Sequence, residues 1–277
     1  MKAFKLGIKV AAVAGLTALL SISASAAIKD SKHDLRGDSL TSGTKVAGAT
    51  EICVFCHTPH GTNTDTEAPL WNRLITGTQS AYTSSTLDGK AVLSGSPSLA
   101  CLSCHDGSQA MNTVINAPST STDYKYDSEF GSYIGTASSA IKMTAESATF
   151  VANLGQNLRN DHPVAVPYAG GGWSAFDLSG TQSNFSKSAS DPDFVKPATG
   201  NIGGGDKWWI DSEETPDGNR QKTDLILYNR ASGTDIDTLV GYVECATCHD
   251  PHAGESQSFL RMGSNDNSQV CLACHIK

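Results

Sequence analysis

Eight cysteines are spread over 277 residues, and every one belongs to a Cys-x-x-Cys-His pattern. The four copies are CVFCH (Cys53, Cys56, His57), CLSCH (Cys101, Cys104, His105), CATCH (Cys245, Cys248, His249) and CLACH (Cys271, Cys274, His275). An even cysteine count in an exported chain ordinarily marks a disulfide framework, but disulfides need no histidine after every second cysteine. Structural zinc uses paired Cys-x-x-Cys motifs about 15–20 residues apart, whereas these motifs start 48, 144 and 26 residues apart. Covalent attachment of haem c is the chemistry that remains. On a helical turn, residues i, i+3 and i+4 share one face. Both sulfurs then reach the two vinyl groups along one porphyrin edge, and the histidine swings under the ring to bind iron. Four copies that use every cysteine imply four haems.

Eight histidines occur, and His57, His105, His249 and His275 are spent as proximal ligands. His33, His60, His162 and His252 are the candidates for the four opposite positions. His60 and His252 sit alike, each after a proline in CHTPH and CHDPH. His162 in NDHPV and His33 in KHDL each have an acidic neighbour able to orient an imidazole. Methionine is the competing axial ligand, but beyond the first residue only Met111, Met143 and Met262 exist, too few for four irons. His60, one turn beyond His57, cannot travel round its own porphyrin to the other face. It serves a different haem, so each CHxPH loop links two irons and packs neighbouring porphyrins together. His33, 20 residues before Cys53, is expected opposite His57, and His252 is expected to bind a haem of its own chain.

The elements that must position these ligands are sparse. Residues 1–26 read as a secretory signal peptide: Lys2, Lys5 and Lys9, an apolar run over 10–20, then Ala24-Ser25-Ala26. The mature chain, 27–277, is expected to be one tetrahaem domain without a membrane span, exported and more readily extracellular than periplasmic. Losing the three lysines takes the formal charge from −8 to −11, which disfavours nucleic acid as a partner. Leu, Ile, Val and Phe supply 45 of its 251 residues, a fraction under the roughly 20% associated with disorder. Haem macrocycles must therefore replace part of the core. The expected fold is mostly coil with short helices and few strands, organised around four covalently bound haems.

ICVFCHTPHG matches ECATCHDPHAG and SLACLSCHDGS matches SQVCLACHIK, so a two-haem module reads as duplicated, with halves at about 27–110 and 111–277. A helix is possible over 138–156, and TDLILYNR (223–230) is expected to pair as a strand with KWWI (207–210). Asp206, Asp211, Glu213, Glu214 and Asp217 match no EF-hand spacing and read better as a solvated loop than as a calcium site. Asn184-Phe185-Ser186 is a glycosylation sequon by pattern.

CHTPH followed by APLWNR (68–73), CLSCHDG, NDHPV, KHDL and the terminal CLACHIK together resemble multihaem c-type cytochromes of the doubled-CxxCH type. Among these, the set is most similar to the extracellular tetrahaem cytochromes that polymerise into conductive filaments. The resemblance implies two histidines on every iron, a mostly coil fold, and a haem ligand shared between subunits. The expected function is thus electron transfer through four closely packed haems. Expected partners are copies of itself and redox partners such as other cytochromes or extracellular electron acceptors. A monomeric periplasmic shuttle is the alternative, and a multihaem reductase is disfavoured because catalysis at haem needs an open position. Since so little aliphatic core is available, a variant lacking all eight cysteines should remain largely unfolded after export. Hydrogen exchange checks this, and a cooperative, protected haem-free chain would contradict it.

Overall fold

The computed structural model describes residues 28–37, 45–46, 48–87, 89–118, 124–127, 132–135, 142–143, 152–171, 193–232, 235–254, 256 and 258–276. Residues 1–26 and the sequon at 184–186 lie outside them. The described helices are short: α1 is Ser98–His105, α2 Cys245–Cys248 and α3 Gln269–Cys274. The first Cys-x-x-Cys-His turn is a 3-10 turn, Cys53–Phe55. Where a helix was possible over 138–156, the described residues 142–143 and 152–156 are not helical, and Lys142 instead forms a bridge with Ala110.

Strands are more extensive than expected. Strands β1 (Thr113–Val114), β2 (Tyr124–Asp127) and β3 (Ser132–Gly135) form a small antiparallel sheet ordered β1-β3-β2. A five-stranded antiparallel sheet is ordered β4-β8-β7-β6-β5. It comprises β4 (Val166–Pro167), β5 (Ala198–Ile202), β6 (Gly205–Ile210), β7 (Leu225–Ser232) and β8 (Asp235–Val243). The anticipated pairing of KWWI with TDLILYNR is present, with Trp208 opposite Leu227 and Ile210 opposite Leu225. Gly203 and Gly204, both at positive φ, make the two-residue turn between β5 and β6.

Alternation in these strands builds the largest apolar cluster: Tyr168, Trp208, Ile210, Leu225, Leu227 and Tyr242. Gly241 is required there, because a Cβ would lie 2.8 Å from the Trp208 ring and 3.1 Å from Leu227. Helix α3 lays Val270, Ala273 and Cys274 against this cluster, and the Tyr168 hydroxyl lies 2.8 Å from the Val195 carbonyl and 3.1 Å from that of Cys274. Phe55 of the first turn packs with Val46, Ala49 and Val114. Leu99 and Leu102 of α1 pack with Leu158. Three of the four motifs thus dock on small apolar clusters.

The third motif is held by charge. Glu244, 1% exposed, precedes α2 and forms a capping box with Thr247. Its carboxylate accepts from Arg230 Nη1 at 2.9 Å and from the hydroxyls of Ser96 and Ser98. Arg230 also donates to the Ser94 carbonyl at 2.7 Å and sits over the Tyr242 ring. One buried ion pair therefore ties β7, β8, α1 and α2 together. Glu244→Ala strands a buried guanidinium and should cost about 3–5 kcal/mol, read from the denaturant midpoint of the haem-loaded protein. A loss under about 1 kcal/mol, the scale of an exposed pair, would show that the network does not hold the motif.

Candidate haem sites

Each motif histidine is fixed by a segment that pairs with its backbone. His57 bridges Trp71, His249 bridges Leu260 and His275 bridges Phe194, all antiparallel. His105 accepts from Leu154 N at 2.8 Å. Those segments also fix the rings. Nδ1 of His57 lies 2.8 Å from the Pro69 carbonyl, that of His105 2.8 Å from Ala152, and that of His249 2.7 Å from Ser258. A carbonyl only accepts, so Nδ1 carries the proton and Nε2 keeps the lone pair that a metal needs.

The two CHxPH motifs share one backbone device, a hook. Asn72 N donates to Cys56 O and Thr58 N to Leu70 O, both at 2.9 Å. In the second hook Arg261 N donates to Cys248 O at 2.9 Å and Asp250 N to Phe259 O at 2.8 Å. Leu70 and Phe259, at matching places, both adopt positive φ, 55° and 58°. Asn72 Nδ2 donates to Val54 O at 2.7 Å and Arg261 Nε to Ala246 O at 3.0 Å, so different side chains satisfy the equivalent carbonyl.

Three of the four motif histidines face a second histidine. The ring centres of His57 and His252 are 6.1 Å apart with planes 17° from parallel. Those of His33 and His105 are 6.1 Å apart at 68°, and those of His162 and His275 6.4 Å apart at 67°. Metal–imidazole bonds are about 2 Å long, and a ring centre lies about 1 Å behind its nitrogen, so two imidazoles across one iron should be centred about 6 Å apart. The three pairs fit that spacing. His33 therefore faces His105, a correction to the His57 partner that its short tether to Cys53 predicts; His252 faces His57 instead. His60 and His249 are both exposed, and neither stands in such a pair among the described residues.

Burial sets the protonation of several motif groups. Burial, with His105 nearby, lowers His33 to about 4, and burial also lowers His105, keeping both rings neutral as ligands must be. Burial pushes the thiols of Cys56 and Cys274 up to about 12 and that of Cys248 to about 11. Cys101, hydrogen-bonded to Cys245 and buried, is raised as well. Cys245, which accepts that hydrogen bond, is lowered in turn. No disulfide joins the eight cysteines, and among the described residues no group of three His, Cys, Asp or Glu could hold a metal ion. In the acidic loop, Asp211 accepts from Glu213 N and Gly218 N, and Asp217 from Asn219, so these carboxylates cap their own turns.

Two residues of the APLWNR stretch have roles that the sequence does not state. Arg73 is buried and donates to the carbonyls of Met111 (2.9 Å), Thr113 (2.8 Å), Ser103 (3.1 Å) and Ala110, tying the first hook to α1. Trp71 is buried with its ring centre 6.2 Å from that of His57, and its Nε1 has no partner. That indole is a donor in want of an acceptor beside a motif histidine, and a haem carboxylate would meet the need.

A family model for the doubled CXXCH motif matches residues 240–277, which span the third and fourth motifs. No curated protein matches the chain. No helix among the described residues is long and apolar enough to cross a membrane. The motif match supports a multihaem c-type cytochrome that binds haem c covalently and transfers electrons.

Proposed function

We propose that the chain carries four haems c, each iron held between two histidines, and conducts electrons as the subunit of an extracellular cytochrome filament. The observation that carries this reading is the set of three histidine pairs centred 6.1–6.4 Å apart, each joining a motif histidine to one from elsewhere in the chain. Haem supplies the one-electron chemistry. Cys53, Cys56, Cys101, Cys104, Cys245, Cys248, Cys271 and Cys274 would anchor it, and paired histidines would hold its iron. Carbonyl-held rings move little when the iron changes oxidation state, and two imidazoles rather than methionine favour a low potential.

The filament reading draws on the contacts that join the two halves. His252 of the second half faces His57 of the first, His33 stacks on Phe259, and Cys101 meets Cys245. At equivalent positions the first half leaves His60, Leu70 and Cys53 exposed, and the second leaves Cys271 exposed. A second copy adding His60 opposite His249 repeats the internal joint, and a heterologous contact of that kind builds a filament where its rotation does not close. His249 facing no histidine of this chain also favours the second reading, a monomer with one open haem.

Mass spectrometry of the purified protein should show four haem additions and no free thiol; three or fewer at full occupancy would sink the assignment. In His60→Ala, export and haem attachment should persist while polymers are lost and one high-spin haem per chain appears. Filaments unchanged in that variant, seen by electron microscopy of the secreted fraction, would rule out the bridge through His60. A wild-type protein that is monomeric at all concentrations would favour the shuttle.

A further inference from the structure

His33 reaches its partner from a tightly fixed backbone. Asp34, held to about 2 chiefly by its hydrogen bonds to Arg36, accepts from Asp30 N at 2.8 Å and from Arg36 Nε and Nη2 at 2.8 and 2.7 Å. His33 N also donates to Ser31 Oγ at 3.2 Å. What these bonds leave free is rotation of the ring. The Nδ1 contact to the Pro251 carbonyl is 3.4 Å, longer than the 2.7–2.9 Å contacts that orient His57, His105, His162 and His249. A hydrogen bond of that length orients weakly.

Phe259 supplies the missing restraint. Its ring is stacked on His33 with centres 4.2 Å apart and planes 12° from parallel. The side chain is 8% exposed, and its backbone sits at φ 58°, a conformation costing an L-residue about 1–2 kcal/mol. At the matching place in the first hook, Leu70 has the same torsion but is 53% exposed. The hook therefore needs the torsion for its own return, and the aromatic ring is an addition specific to the second hook.

We propose that Phe259 is a positioning residue for His33, fixing the rotation of that imidazole so that it crosses the plane of His105 steeply. The proposal rests on the haem reading above. Each imidazole donates through a π orbital perpendicular to its plane. Parallel planes act on one iron d orbital of a pair and split the two; crossed planes act on both and leave them nearly equal. Ferric low-spin iron between crossed rings accordingly gives a strongly anisotropic electron paramagnetic resonance signal, and iron between parallel rings a rhombic one. The pairs His33–His105 and His162–His275 belong to the first class and His57–His252 to the second.

The test is the resonance spectrum of the fully haem-loaded, full-length protein, with haem content measured on each sample. Wild type should show both classes. Phe259→Leu should cut the strongly anisotropic intensity by about half, as one of two crossed pairs loses its restraint, while the rhombic signal of His57–His252 persists as an internal control. Leucine is a residue this backbone accepts, as Leu70 demonstrates. Phe259→Tyr keeps the stack and should restore the wild-type spectrum. Full haem load with an unaltered spectrum in Phe259→Leu would overturn the proposal. So would a Phe259→Tyr spectrum as changed as that of leucine. Haem loss or absence of low-spin signals already in wild type would instead refute the haem reading beneath it.

Discussion

Two imidazoles that serve one iron must approach from opposite faces, and no short loop can supply both. That constraint makes each second histidine a long-range contact. The paired histidines lie 72, 113 and 195 residues apart in the chain, so each closes a large loop that something else must hold shut. The hydrogen-bonded return segments fix each motif histidine at the backbone. Because the segments that pair with the backbone of His57, His105 and His249 also supply the carbonyls beside their Nδ1 atoms, ring orientation and chain path are set together.

Protein contacts also link the motifs to one another. The Arg230–Glu244 pair places the start of α2 against α1. Arg73 spreads its donors over four carbonyls around the end of α1. Both are buried cations whose hydrogen-bonding needs are met by groups from several segments, an arrangement that disfavours alternative packings through the cost of unpaired charge. With few aliphatic residues to spare, the apolar side chains are gathered into one sheet-backed cluster and two smaller ones.

The attachment chemistry was legible from the sequence because Cys-x-x-Cys-His is a local pattern whose meaning does not depend on the rest of the fold. The β6–β7 pairing was legible for a similar reason, two short apolar runs near one another. The rest is non-local. DIDTLVGYV alternates too weakly to announce β8, which is placed by its partners on both sides. Glu244 looks like any surface acid until Arg230 and two serines converge on it. The pairing of His33 with His105 was hidden because chain distance to Cys53 says nothing about which surface the residues before the motif pack on. Phe259 reads as an ordinary apolar residue, and only the ring stacked on His33 sets it apart from Leu70, which shares its torsion.

The neighbouring sulfurs of Cys101 and Cys245 carry a consequence for biogenesis. They belong to different motifs, 144 residues apart, yet the folded chain brings them within hydrogen-bonding contact. In an oxidising compartment, a native-like chain without porphyrin would offer that pair to an oxidant. A crosslink there would consume one sulfur from each of two attachment sites. On the haem reading proposed above, attachment that precedes compaction, while the motifs are still apart, keeps both sulfurs available.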